Sequence, residues 1–378
     1  MKKTFREYHL FKILDSFDFE SLPLDVHLGQ YFRKNHAIGS KDRKFIAEKI
    51  YKLIRWMGLI DHHCEESHDW SERYRALDKL NISKSTQDSS IPLHVRASFP
   101  KHLFTLFSDH FGEEKALELC LACNTPAPTT IRVNVLKTTR NTLLSKWKEK
   151  FSVSSTKHSV WGINFEEKIN FQTLEDFKNG FFEVQDEASQ LIADLVDASP
   201  GDQVLDFCAG SGGKTLAFAH KLQGKGQIYL HDIRERPLIK AKRRLARAGI
   251  ENAQIMPHDT PHKKNLKGKF NWVLVDVPCS GSGTLRRNPD LKWKFSSDML
   301  ERLVQEQKTI FEEALFFLAP KGKIVYSTCS ILPQENDRQL EHFQNAFNLD
   351  LVSKPFRSLP TEGGMDGFFG VILKKVEN

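Results

Sequence analysis

The sequence predicts an α/β protein: a Rossmann-like, doubly wound sheet in its C-terminal half, preceded by a helical N-terminal domain and a small α/β module. Three observations predict it. From residue 186 onward, short apolar β-type runs alternate with helical segments, the pattern of a parallel sheet with helices on both faces. A glycine-rich loop, Asp206-Phe207-Cys208-Ala209-Gly210-Ser211-Gly212-Gly213-Lys214-Thr215, joins the first of those runs to a helix. The first third instead carries apolar residues at helical spacing.

In chain order, Lys41 to Trp56 places Phe45, Ile46, Lys49, Ile50, Leu53 and Ile54 at helical spacing, apolar except for Lys49, with charges on the other face, so a helical bundle is expected. Asn81 to Pro92 is polar and serine-rich and reads as a linker. A helix over Glu113 to Cys123 must stop before Pro126 and Pro128. A strand over Thr130 to Val135 and a helix over Asn141 to Lys150 suggest the small α/β module. The strands of the main sheet are expected at Gln203 to Phe207, Gln227 to Leu230, Gln254 to Met256, Trp272 to Val275, Lys323 to Tyr326 and Phe368 to Leu373, with helices at Pro237 to Ala248 and Asp298 to Leu318. Three domains follow: 1–90 helical, 91–180 small α/β, 181–378 doubly wound.

The chain of 378 residues suits roughly two or three domains. Its 55 basic and 48 acidic residues give +7, which permits a polyanionic partner without requiring one. No apolar run reaches the roughly 18 to 20 residues of a membrane span, and the basic start lacks a secretory core. Six cysteines are too few for a disulfide scaffold. A cytoplasmic protein with reduced thiols, not bound to membrane, is expected.

The glycine loop suits an anionic or polar ligand at a helix start. A nucleotide P-loop would need glycine at Cys208, and a dinucleotide fingerprint from Gly210 would need glycine at Thr215. Both patterns fail by one residue. S-adenosylmethionine fits better, because Asp232 ends the second strand, where it can accept from ribose hydroxyls, and Asp259 follows the third, within reach of an adenine amino group. Taken singly, either acid is as readily a cap or a turn residue.

Two cysteines follow strand ends: Cys279 in Asp276-Val277-Pro278-Cys279-Ser280-Gly281 and Cys329 in Ser327-Thr328-Cys329-Ser330. If their strands are neighbours, the tips lie about 5 Å apart and both thiols reach one substrate. The bland alternative is that each is a small buried apolar residue.

These residues resemble the Sun/Fmu (RsmB-type) RNA cytosine-5 methyltransferases. The resemblance rests on Gln185-Asp186-Glu187-Ala188-Ser189, Cys208 to Thr215, Asp276 to Gly283, Ser327 to Ser330 and Asp366-Gly367-Phe368-Phe369, extends to Arg132-Val133-Asn134, and reaches more weakly into the N-terminal helices, which are similar to a NusB-like RNA-binding bundle. One departure is Ser211, where the family's loop usually has proline. The resemblance implies S-adenosylmethionine held by Cys208, Ala209, Gly210, Ser211, Gly212, Gly213, Lys214, Asp232, Asp259 and Asp276. It implies that Cys329 adds to carbon 6 of a cytosine, that Asp276 lies near N3, and that Cys279 helps remove the carbon 5 proton. The implied substrate is RNA, ribosomal (16S) in first place, with transfer RNA as the alternative within enzymes; a non-catalytic ribosome-assembly factor is the alternative outside them. A monomer is expected.

Arg286, Arg287, Lys292 and Lys294 directly follow the Cys279 loop and are the RNA-binding candidates, with Trp293 placed to stack on a base or to join the core. The basic segment Arg234 to Arg247 reads first as a solvated helix face. No metal is expected: His62, His63, Cys64 and His68 match no standard zinc spacing, and Cys120 and Cys123 lie in a helical pattern without a second pair.

Overall fold

The computed structural model describes residues 3–65, 69–258 and 263–376. The chain forms two compact units, one of residues 1–126, 280–300 and 360–362, the other of 127–279, 301–359 and 363–378. Among the described residues no helix is long and apolar enough to cross a membrane.

The first unit is helical: α1 (Phe5–Ser16), α2 (Leu24–Lys34), α3 (Ser40–Asp61), α4 (Trp70–Lys79), α5 (Ile82–Gln87), α6 (Leu93–Arg96), α7 (Lys101–Phe111) and α8 (Glu113–Cys123). Thr4 and Glu7 form a capping box that starts α1. Leu10, Ile13 and Leu14 of α1 meet Ile46, Ile50, Leu53 and Ile54 of α3 in the core, as the helical spacing predicts. The stretch expected to be a linker holds α5 instead, because the Asn81 side chain accepts from the Lys84 amide and caps a short helix within polar sequence.

Residues 280–300 belong to this unit and kink α3. Trp56 leaves helical geometry at φ −106° and ψ 16°. Nearby, the Trp293 indole donates to the Ile54 carbonyl at 2.8 Å, Lys292 Nζ donates to the Arg55 carbonyl at 2.7 Å, and the Gly58 amide turns to Ser98 Oγ at 3.0 Å. Side chains inserted into the helical ladder are a sufficient cause of the kink. Gly58 is required there, since a Cβ would meet the Trp293 ring at 2.9 Å.

The second unit begins with β1 (Thr129–Val133), α9 (Arg140–Trp147), β2 (Val153–Ser155), β3 (Gly162–Phe165), α10 (Glu175–Lys178) and β4 (Phe182–Val184). The strands form an antiparallel sheet in the order β2-β3-β1-β4. Ile131, Val133, Leu143, Trp147 and Phe182 fill its core.

There follow α11 (Glu187–Asp194), β5 (Gln203–Asp206), α12 (Thr215–Phe218), β6 (Gln227–Leu230), α13 (Glu235–Ala248), β7 (Ala253–Ile255) and β8 (Phe270–Asp276), then α14 (Leu291–Lys294) of the first unit, α15 (Ser297–Leu315), which runs from one unit into the other, β9 (Leu318–Thr328), α16 (Asp337–Phe347), β10 (Leu349–Leu351), β11 (Phe356–Ser358) and β12 (Phe368–Lys375). The large sheet runs β10-β12-β9-β8-β5-β6-β7, with β11 on β12. Pairing is parallel from β7 to β9. The last strand differs from a wholly parallel sheet: β12 runs antiparallel to β9, Phe369 facing Thr328, and β11 pairs antiparallel with β12. Cores lie on both faces, Val273, Val275, Ile324 and Tyr326 with α15 and α16 on one, Val204, Ile228 and Leu274 with α13 on the other. This is the Rossmann-like, doubly wound class, and chain order reverses between β5 and β8, where such sheets bind ligands.

Candidate active site

β8 and β9 are paired in parallel with Asp276 opposite Ser327, so the chain segments leaving them emerge side by side. The Cys279 and Cys329 sulfurs lie 3.2 Å apart. The two strands thus bring together thiols fifty positions apart in sequence. Beside them, Lys214 of the glycine loop forms an ion pair with Asp276 Oδ2, and Ser327 Oγ donates to Asp276 Oδ1 at 3.0 Å. Burial opposes the Lys214 ammonium, but the charges of Asp276 and Cys329 and the hydrogen bond to Asp276 outweigh it and hold its pKa above the ordinary lysine value. The ring of Phe368 lies 5.6 Å from the ammonium, and Phe368 and Met365 share an apolar cluster with Cys329. The Asp366-Gly367-Phe368-Phe369 motif is therefore part of the site wall. Asp186 caps α11 and accepts from the Asp366 amide at 3.2 Å, which joins this motif to Gln185-Asp186-Glu187-Ala188-Ser189.

The glycine loop leaves the tip of β5, at the reversal of chain order. Asp206 and Thr215, its first and last residues, are bonded side chain to side chain at 2.6 Å. Burial pushes the Asp206 carboxyl up to about 7. Asp232, at the tip of β6, accepts the Gly210 amide at 2.9 Å and the Arg234 amide at 2.9 Å. Burial works against its charge, but the hydrogen bonds from Arg234 and Gly210 prevail and keep it below the usual aspartate range. Burial also pushes the Cys208 thiol well up, so Cys208 stays a neutral loop residue. Gly210 has φ +52°, and a Cβ at Gly210 or Gly213 would meet nothing within 4 Å. The open space over two glycines, edged by the carboxylate of Asp232, fits a ligand with a backbone-hugging polar tail and a ribose. Asp259 lies outside the described residues, as does His68.

The four RNA-binding candidates occupy different environments. Arg286 and Lys292 are each only 1% exposed. Arg286 donates to the Thr361 carbonyl at 2.9 Å, and Lys292 bonds Asn124 Oδ1 at 2.8 Å as well as the Arg55 carbonyl. Both side chains donate to carbonyl acceptors and neither faces solvent; burial pushes the Lys292 pKa well below the ordinary lysine value. Trp293 is likewise committed to Ile54. Lys294 pairs with Asp290 at 3.0 Å and donates to the Leu22 carbonyl at 3.0 Å. Arg287 is half-buried.

Several residues of the site escape a reading by motif. Gln307 of α15 is fully buried and donates to the Pro278 carbonyl at 3.0 Å and to Glu335 at 3.0 Å, while Tyr326 donates to Gln307 at 3.2 Å. It fixes the loop just before Cys279. Asn336 accepts from Thr328 at 2.6 Å and donates to the Ser330 carbonyl at 2.9 Å, bracketing Cys329. The available signal was a glutamine on the apolar face of α15, between Val304 and Phe311.

A family model described as 16S rRNA methyltransferase RsmB/F matches residues 193–373, and one described as the RsmF/B-like ferredoxin-like domain matches 99–172. Ribosomal RNA small subunit methyltransferase B of Proteus mirabilis is 32% identical over 67% of this chain and 60% of that protein, so the chain aligns with less than two thirds of that relative. A probable ribosomal RNA small subunit methyltransferase B of Synechocystis is 31% identical over 80% of this chain and 72% of its own. The crystal structure of PH0851 shares the fold over 97% of both chains, with a TM-score of 0.79 and 21% identity. Together with the loop, its acid and the paired thiols, these matches establish that the chain belongs to the RsmB/F family of S-adenosylmethionine-dependent methyltransferases.

Proposed function

We propose that the protein methylates carbon 5 of a cytosine in RNA, in the first instance small-subunit ribosomal RNA. The single observation that carries this reading is the contact of the Cys279 and Cys329 sulfurs, 3.2 Å apart beside the Lys214–Asp276 pair. Carbon 5 of cytosine is a weak nucleophile, and a thiolate bonded to carbon 6 makes it electron-rich. When bound, S-adenosylmethionine supplies an electrophilic methyl group.

Cys329 forms the bond to carbon 6, and the ring electrons shift toward N3. Lys214 lies in the electrostatic range of Cys329, so its ammonium stands beside the bond-forming sulfur. Asp276, whose oxygens accept from Lys214 and Ser327, meets the ring edge, and the Lys214–Asp276 pair supplies the proton that N3 takes up. After methyl transfer, Cys279 takes the proton from carbon 5, N3 returns its proton to the Lys214–Asp276 pair, the ring double bond re-forms, and Cys329 leaves as thiolate. Gly210 to Gly213, Lys214 and Asp232 hold the cofactor, with Asp259 its expected adenine contact. Because the target base must leave its stack, unpaired or loop RNA is the natural substrate.

Substitution of each thiol tests the assignment. Cys329→Ala abolishes methyl transfer, whereas Cys279→Ala accumulates a covalent protein–RNA adduct visible as a shifted band on denaturing gels. An active Cys329→Ala enzyme would sink the reading.

A further inference from the structure

Arg244 lies on the inner side of α13, between the glycine loop and the small sheet. Its Nη1 donates to both the carbonyl and the hydroxyl of Ser211, each at 2.8 Å. Its Nε and Nη2 donate to Glu183 Oε2 of β4 at 3.2 and 3.0 Å. Glu183 is 4% exposed, and its other oxygen accepts from Arg247, whose guanidinium sits 4.1 Å over the Phe177 ring. A second tether starts one residue beyond the same strand: Gln185 donates to the Gly213 carbonyl at 3.4 Å and is itself held by buried Arg132 at 2.8 Å. Between the two gripped carbonyls lies Gly212 at φ +76°. A run of glycines has little stiffness of its own, so its shape is set by whatever grips it. Charge-assisted, forked guanidinium contacts grip more firmly and more directionally than neutral ones.

We propose that Arg244, oriented by Glu183, is the positioning residue for the cofactor loop, so that the edge strand of the small sheet sets the affinity for S-adenosylmethionine. The inference rests on the assignment of residues 208–214 to the cofactor. It predicts a division of labour: the large sheet supplies the loop and its acid, and the small sheet supplies the loop's conformation.

The test is calorimetric titration of the full-length protein with S-adenosylmethionine, together with kcat and KM for the cofactor at saturating RNA. Arg244→Met raises Kd and KM about tenfold, equivalent to about 1.4 kcal/mol, and leaves kcat at saturating cofactor within about twofold. Glu183→Gln shifts Kd in the same direction. The double variant is no worse than Arg244→Met alone, because Glu183 acts through Arg244. Arg244→Lys, which keeps one donor toward the Ser211 carbonyl, recovers part of the loss. If Arg244→Met does not fold, Glu183→Gln and Arg244→Lys carry the same comparison. A lower melting temperature with unchanged Kd in these variants overturns the proposal. Asp232→Ala serves as the control: unchanged cofactor binding in that variant overturns the loop assignment itself, whereas loss there with unchanged Arg244 variants overturns only the positioning role.

Discussion

Replacing Asp206 by asparagine gives the molecule a different pH dependence of stability. The carboxyl is 1% exposed at the tip of β5, bonded to Thr215 through one oxygen, and its other oxygen has no hydrogen-bond partner among the described residues. Burial pushes its pKa up to about 7, the Thr215 hydroxyl and Lys214 pull it down, and the charges of Asp276 and Asp232 add to the rise. An unfolded aspartate titrates near 3.9, so over the roughly three pH units between the two values the unfolded chain has lost a proton that the native state keeps. Native stability from this group is fully present below about pH 4 and falls as pH rises toward 7, by about 1.4 kcal/mol per pH unit and about 4 kcal/mol in all. An asparagine at this position carries no proton to lose and still offers Thr215 an acceptor. The Asp206→Asn variant should therefore match wild type near pH 4 and exceed it increasingly up to pH 7, by several kcal/mol less whatever the altered amide geometry costs. Urea denaturation of both proteins at half-unit steps from pH 4.5 to 8, followed by circular dichroism, reads the difference directly. A difference that stays constant over that range would refute a neutral, buried Asp206.

Three further outcomes follow from the site and its supports. Lys292→Ala should cost about 3 kcal/mol of stability through an unfilled space and two buried acceptors left short, at Arg55 and Asn124, while RNA affinity measured by filter binding in the folded protein stays unchanged. Gln307→Leu should destabilise by about 1–3 kcal/mol and slow methyl transfer about tenfold, because Tyr326 and the Pro278 carbonyl lose a partner; an unaffected rate in single-turnover assays argues against its control of the Cys279 loop. Lys214→Met should lower the methyl-transfer rate by about a hundredfold in single-turnover assays, the scale seen when one preorganised electrostatic group is removed.

The large sheet was legible because its strands are short β-branched runs bounded by loops, and the strand tips gave the two thiols, Asp276 and Asp232. The direction of β12 was not legible, since antiparallel and parallel pairing leave the same apolar run in the sequence. Lys292 and Arg286 read as RNA-binding candidates, and their burial was not legible because composition cannot show the carbonyl groups supplied by Arg55 and Thr361. Arg244 was hidden in a basic helix that reads as a solvated face, and only the position of Ser211 singles it out. Asn81 and its polar neighbours looked like a linker, although a single cap suffices to start a short helix there.

The membership of residues 280–300 in the helical unit bears on heredity and engineering. A gene fragment starting at Ala127 would encode the whole large sheet and the paired thiols, yet it would also encode Trp293 and Lys292 without the α3 carbonyls and apolar surface that receive them. A fragment of that kind would leave the 280–300 stretch without its packing partners. Its helical companion has to be inherited with it, and changes in α3 and in the stretch after Cys279 should accumulate in step.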